Sequence, residues 1–425
     1  MKFVNREKEL EYLKETRELS KRKLFTLAIT GLRRVGKTRL IREFMDKKDL
    51  YFFVNKNKTS LSLLKDFQEV LRENKIITEF EELKNWREFF KIIFERYNGI
   101  VVFDEFQNFF HVDTSIFGIL QEFIDKYEEQ KKDLLIIFCG SLIGLMKKIF
   151  QDSKEPLYGR IKRKLFLKPM KFYEILEMGK LLKLSFEDVI KLYAIFGGFP
   201  LYWVAIEDEN LVGKKFDDII ERFFFRENAT FENEVEIILS LEFGKRKGRY
   251  YDILCAIANG NTTISSISSF LSLKETKLTR YLKELVYYFE MIEYETQVIG
   301  NKRLLFINHP IINFWFRFFY KELSLYKERN PEYLKRVKNQ IPAYIGQRFE
   351  LICRELIKEK IIFKDFNFTK IGKQWGKIPK KKGNGVYEID IVALNEQTKE
   401  ILFCECKWQS KVNAKIGRAS CRERV

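Results

Sequence analysis

Histidine is nearly missing from this chain: 425 residues hold two, His111 and His309. Sites built on several imidazoles, such as zinc cages and Ser-His-Asp triads, are thereby all but excluded. Cysteine is scarce too. The six residues (Cys139, Cys255, Cys353, Cys404, Cys406 and Cys421) form no C-x-x-C pair, so they read as reduced, mostly buried thiols. No apolar run is long enough to span a bilayer. The longest, Leu134 to Met146, falls short of the about 20 residues required and contains Gly140, Ser141 and Gly144. The N-terminal MKFVNREKEL turns charged where a signal peptide stays apolar. These absences lead to the expectation of a soluble, cytoplasmic protein with no membrane partner.

Acidic residues are in deficit. Lys+Arg 78 against Asp+Glu 60 leaves a net charge of +18, which makes a polyanion, nucleic acid before membrane, the first partner to consider. An AT-rich genome that favours Lys, Ile and Phe would produce the same surplus. Hydrophobic residues at 46% exclude a disordered chain, and the length fits two or three domains.

The first 165 residues alternate β-type runs with amphipathic helical stretches. LFTLAIT (24–30), DLYFFVN (49–55), GIVVFDE (99–105), LLIIFCG (134–140) and KRKLFLK (162–168) are nearly continuous apolar runs. Strands covered on both faces of a parallel sheet read this way. The expected organisation is an α/β core over 1–168, a helical lid over 169–245, a winged helix over 246–308, a helical connector over 309–345 and a further α/β domain over 346–410. No long Pro/Gly/Ser linker separates them, so close packing is expected.

The strongest motif is GLRRVGKT, Gly31-Leu32-Arg33-Arg34-Val35-Gly36-Lys37-Thr38, set between the strand LFTLAIT and a helix beginning near Arg39. This is a P-loop: glycines let the backbone N–H groups turn inward on phosphate oxygens, and the helix adds its positive end. Lys37 is expected at the β/γ-phosphates of ATP and Thr38 at Mg²⁺, with the rest of Gly31 to Arg39 around the nucleotide. The run IVVFDEFQ delivers Asp104 to the carboxyl end of a strand, where it would hold the Mg²⁺ shell. Glu105 comes next, placed to polarise an attacking water. Ser141, at the end of the next strand, reads as a γ-phosphate or water contact, or as a plain strand cap. Arg160, just before KRKLFLK, reads as a cation for developing charge, in its own subunit or a neighbour's, or as part of a basic surface turn.

The set NREKEL (5–10), GLRRVGKT, VVFDEFQ, CGSLIGLM (139–146), LYGR (157–160) and GGFP (197–200) resembles the archaeal-type ATPase family of the AAA+/STAND group of P-loop ATPases. The resemblance runs from residue 1 to about 410. It implies that Val4, Asn5 and Arg6 lie near the adenine and that Pro200 closes over the nucleotide from the lid. Such proteins often carry a C-terminal domain of unknown function.

Residues 250–307 read as three short helices and a hairpin turning at Gly300-Asn301, a winged helix-turn-helix. Leu278, Leu282 and Leu285 form the inner stripe of the third helix. Lys274, Lys277 and Arg280 lie off it, with Lys302 and Arg303 on the wing, as duplex binding requires. A winged helix used for protein contacts has the same pattern. Further on, YEIDIVAL (Asp390) and EILFCECKW (Glu405, Lys407) resemble PD-(D/E)xK nucleases, with Ile389 where that signature has proline. The resemblance implies Mg²⁺ at Asp390 and Glu405, a water-orienting Lys407, and a further acidic residue, Glu350, from the first helix. KQWGKIPKKKG (373–383) reads as a basic arm with Trp375 as a stacking group, or as a solvated loop. IGRASCRERV abandons apolar periodicity, so 411–425 is expected to be a non-native tail after an incomplete nuclease-like fold.

Together these readings point to an ATP- and Mg²⁺-dependent ATPase that acts on duplex DNA, with a homo-oligomer or a protein partner left open. The rival is a nucleotide-switched regulator whose nuclease-like domain is inert.

Overall fold

Each of the five apolar runs becomes a strand of one parallel sheet in the computed structural model, which describes residues 1–244, 247–378 and 385–409. They are β1 (Phe25–Thr30), β2 (Leu50–Phe53), β3 (Gly99–Asp104), β4 (Leu134–Gly140) and β5 (Arg163–Phe166), in the order β2-β3-β4-β1-β5. Along β1, β3 and β4 both faces are buried and side chains alternate between them, while the outer strands β2 and β5 are partly exposed. Ile100 and Val102 of β3 join one apolar cluster, while Val101 and Phe103 join the other. The second cluster is dense in phenylalanine. Phe52, Phe67, Phe89 and Phe103 meet at centroid distances of 4.7–6.4 Å, the spacing aromatic pairs prefer.

The first cluster continues from the sheet through the lid into the winged helix and the connector. The lid contains helices Phe172–Leu181, Phe186–Phe196, Pro200–Asp208 and Glu234–Phe243. Its GGFP turn sits against the end of β5: Met170 N–H donates to the Gly198 carbonyl at 2.7 Å. The segment read as a winged helix holds helices Gly248–Ala258, Ile264–Phe270 and Glu275–Lys283, then hairpin strands β6 (Ile292–Thr296) and β7 (Arg303–Ile307). Leu278, Leu282 and Leu285 are buried as expected. The extension of the third helix rests on the parallel-sheet core, where Lys147 donates to the Tyr287 carbonyl at 3.1 Å.

Beyond residue 309 the structure corrects the reading three times. A single 28-residue helix, Pro331–Lys358, crosses the expected 345/346 boundary. Its Glu355 accepts from Tyr193 Oη at 3.0 Å, which ties the C-terminal domain to the lid. The start of the expected basic arm is instead a strand, β8 (Lys370–Lys377), in the antiparallel order β10-β9-β8 with β9 (Val386–Asn395) and β10 (Glu400–Cys404). Lys373 and Trp375 therefore belong to a sheet, where cross-strand pairing outweighs the charge pattern; 379–383 lies outside the described residues. Third, β10 stops at Cys404, so Glu405 and Lys407 are not on a strand. The expected tail also lies outside the described residues, and among the described ones no helix is long and apolar enough to cross a membrane.

Gly198 tests how tightly the lid turn is seated. A Cβ there would stand 1.6 Å from the Met170 carbonyl oxygen. Gly198→Ala is expected to lower stability by about 3 kcal/mol, since neither backbone can yield without breaking the 2.7 Å bond; thermal unfolding measures it.

Candidate functional site

Thr30, Asp104 and Gly140 end adjacent parallel strands, so the residues after them share the carboxyl edge of the sheet. The loop after β1 runs into helix Lys37–Phe44, with Gly36 at φ 91° as its N-terminal neighbour. Lys37 is buried and donates to the carbonyls of Gly31 (2.8 Å) and Leu32 (2.9 Å). Burial holds its pKa below the usual lysine range, against the pull of Cys139, Glu105 and Asp104. Thr38 Oγ1 donates to Asp104 Oδ2 at 2.8 Å, and Tyr51 Oη donates to the same oxygen at 2.6 Å. A hydroxyl and a carboxylate side by side are hard-oxygen donors that fit Mg²⁺.

Glu105 leaves β3 with φ 55°, a left-handed turn that separates its carboxylate from that of Asp104. Its Oε1 accepts from Ser141 Oγ at 2.9 Å and lies 3.7 Å from Arg33 Nη1; its Oε2 accepts from Gln107 Nε2. Ser141 thus orients Glu105.

Arg33 and Arg34 point to the lid. Arg33 Nε donates to Glu242 Oε1 at 3.2 Å; Arg34 makes a two-pronged contact with Glu234, at 2.9 and 3.1 Å. Both carboxylates stand on helix Glu234–Phe243 and are at most 9% exposed. Burial pushes Glu242 up to about 7, although Arg33 and Lys37 pull it down.

On the other side of the loop lies an apolar cavity of about 240 Å³ lined by Phe3, Val4, Arg6, Gly36, Met178 and Pro200, with Arg39 at its rim. Arg6 donates to the Lys168 carbonyl (2.7 Å) and Asn5 to the Glu174 carbonyl (2.8 Å), so the N-terminal segment is pinned to the lid side. Val35 is buried beneath the loop.

Arg160 is placed elsewhere. Its carbonyl accepts from Thr26, and its guanidinium donates twice to Asp125, at 2.7 and 2.8 Å. Thr26 is four residues before Thr30, about 13 Å of strand from the phosphate loop. In its own chain Arg160 is therefore at the far end of the sheet, because LYGR precedes β5 and a parallel strand starts at the edge opposite the site.

The winged helix exposes Lys274, Lys277 and Arg280 along its third helix and Lys302 and Arg303 on the wing. Arg280 donates to Glu284 at 2.9 Å. The wing loop is engaged by the C-terminal sheet: Ile299 N–H donates to Gln374 Oε1 (2.9 Å), and Gln374 Nε2 donates back to the Ile299 carbonyl (3.0 Å). Of the nuclease-like residues, Glu350 and Asp390 line one cavity of about 990 Å³ with Lys373 and Glu388, whereas Glu405 and Lys407 are not part of its lining. Asp390 accepts from the Cys406 backbone N–H at 2.8 Å, Glu350 is paired with Lys373 at 3.0 Å, and Glu405 is 74% exposed and paired with Lys407 at 3.2 Å. Among the described residues no group of three or more His, Cys, Asp or Glu is arranged to hold a metal ion.

Sequence reasoning missed Tyr51, Gln107, Glu234 and Glu242. Gln107, quoted within IVVFDEFQ, carried the one available signal, a polar residue among apolar ones. The two lid carboxylates are about 200 residues from the loop and had none.

Glu242 offers a pH test. Its folded pKa of about 7 lies above the ordinary 4.5, so its contribution is fully present below pH 4.5 and is lost as pH rises through 7. Glu242→Gln, which cannot ionise, is expected to lose less stability than the parent between pH 5 and 8, measured by urea unfolding.

Residues 3–206 match the family described as an ATPase domain predominantly from Archaea, and residues 315–418 match one described as Archaea bacterial proteins of unknown function. An uncharacterized protein of Methanocaldococcus jannaschii is 30% identical over 414 residues, 96% of this chain and 88% of that protein. Among solved structures, a Walker-type ATPase of Pyrococcus abyssi is 24% identical at TM-score 0.57, covering 74% of this chain and 96% of that one. The Aeropyrum pernix ORC2 protein, solved as ADPNP–ADP complexes, is 15% identical at TM-score 0.50, covering 80% and 95%. At these identities the two structures speak for the fold. The parallel sheet, the phosphate loop and the full-length relative agree: the chain belongs to the archaeal P-loop ATPase family that joins this ATPase domain to a C-terminal domain of unknown function.

Proposed function

We propose that the protein hydrolyses ATP and uses the cycle to act on duplex DNA through its winged helix. The observation that carries this reading is the Thr38–Asp104 contact beside Glu105 and Lys37, at the strand ends where open α/β sheets bind ligands. Val4, Arg6 and Pro200 would enclose the base, and backbone N–H groups of 31–38 the phosphates. Thr38 and Asp104 would hold Mg²⁺, which when bound neutralises phosphate charge. Glu105, oriented by Ser141 and Gln107, polarises the attacking water and accepts its proton. Lys37 turns from its loop carbonyls to the β/γ-phosphates.

Lys37→Ala is expected to weaken ATP binding by about 10²-fold, because the point charge at the phosphates is gone. Glu105→Gln should keep binding and lower kcat by about 10²–10⁴-fold. Equilibrium binding and phosphate release measure the two, and hydrolysis by Glu105→Gln at the parent rate would remove Glu105 as base.

The exposed Lys274, Lys277 and Arg280 support phosphate contacts on the duplex. Affinity should fall with salt at a log–log slope of about −0.9 per neutralised phosphate. Changing Lys277 and Arg280 to Glu should weaken binding to every sequence and flatten the slope. Salt-independent binding, or none, would favour a winged helix used for protein contacts.

For the C-terminal domain the second reading is favoured by a specific observation. Asp390 accepts a backbone N–H and Glu405 faces outward with Lys407, so the domain serves as a scaffold that holds the wing. Divalent-ion-dependent nicking that disappears in Asp390→Ala and Lys407→Ala would restore the nuclease reading.

A further inference from the structure

The phosphate loop is held by the lid at two points. Arg33 and Arg34 are consecutive, and their partners Glu242 and Glu234 are eight residues apart on one helix, about 12 Å along its axis. That spacing leaves them about 80° apart around the axis, close enough for both carboxylates to reach the loop.

Neither pair is an ordinary surface bridge. Glu234 is 7% exposed and also accepts from the buried Tyr202 Oη at 3.3 Å. Glu242 is 9% exposed, and its surroundings are those of the phosphate site: Arg33, Lys37 and Glu105 act on it from the loop and β3, and Tyr288 stands within electrostatic reach from the extension of the third winged-helix helix. Arg33 lies between two carboxylates, 3.2 Å from Glu242 and 3.7 Å from Glu105. A guanidinium so placed stands beside the carboxylate proposed above as the base.

We propose that Glu234 and Glu242 are positioning residues that latch the phosphate loop to the lid, and that the phosphates of a nucleoside triphosphate open the latch by taking over Arg33 and Arg34. The inference rests on the nucleotide-binding reading above. A triphosphate and two buried carboxylates compete for the same guanidiniums, and like charges repel across that short distance. Helix Glu234–Phe243 then loses two of its anchors when ATP binds. The first winged-helix helix begins at Gly248, five residues after Phe243, so the loosened helix is the neighbour in sequence of the unit proposed to bind DNA. The latch also sets affinity: nucleotide binding must overcome the pairs that hold the empty loop.

The test uses the full chain. Hydrogen exchange is followed at 31–38 and at 234–243, with and without a non-hydrolysable ATP analogue and Mg²⁺. Protection at 31–38 with faster exchange at 234–243 is the expected result. Protection at 31–38 with 234–243 unchanged or slowed overturns the latch and leaves the nucleotide reading intact. No protection at 31–38 overturns both. In Glu242→Gln and Glu234→Gln, exchange at 234–243 should already be fast without nucleotide. Analogue affinity should be tighter by about three- to tenfold, as expected for one partly screened charge pair. A merely structural role for these carboxylates predicts weaker or unchanged binding in both variants, and that outcome also overturns the proposal.

Discussion

A parallel sheet turns every strand's carboxyl end to the same edge, and the chemistry of this ATPase domain depends on that alignment. Three neighbouring strands end there, and each supplies one part of the candidate site: β1 leads into the phosphate loop, β3 delivers Asp104 and Glu105, and β4 delivers Ser141. Both faces of these three strands are buried, which fixes the backbone from which Thr38 and Asp104 meet. The same rule explains Arg160. Any residue just before a parallel strand is carried to the opposite edge, whatever its charge.

Burial of the sheet also decides how the domains communicate. One face is closed by a phenylalanine-rich cluster confined to the ATPase core. The other face continues without interruption into lid, winged helix and connector. A shared apolar interior transmits displacement poorly in small steps and well in discrete ones. The polar contacts that cross it matter accordingly: Arg33 and Arg34 to the lid, Lys147 to the winged-helix extension, Glu355 of the long helix to Tyr193.

The C-terminal sheet meets the wing through the reciprocal Gln374–Ile299 bonds. It leaves the cationic face of the third winged-helix helix open while engaging the wing tip. The exposed Lys274, Lys277 and Arg280 of the helix therefore face solvent, while the wing tip is held by a protein surface.

Much of this was legible in the sequence, and the reason is locality. Strand positions are set by apolar runs, and the phosphate loop and the Asp104-Glu105 pair by motifs of eight residues or fewer. The winged helix is marked by a helix period and a turn at Gly300. What the chain could not disclose by itself was anything that depends on two distant segments meeting. Glu234 and Glu242 look like ordinary charges on a helix until the fold buries them against Arg34 and Arg33. Glu405 and Lys407 share a strand face only if the strand continues, and β10 ends at Cys404. Lys373 and Trp375 read as a loose arm until β9 pairs with them. Local pattern determined the elements and the phosphate-binding motif. Which charges face one another was decided only by tertiary structure, because electrostatic partnership is set by distance in space and burial, and neither is written in sequence spacing.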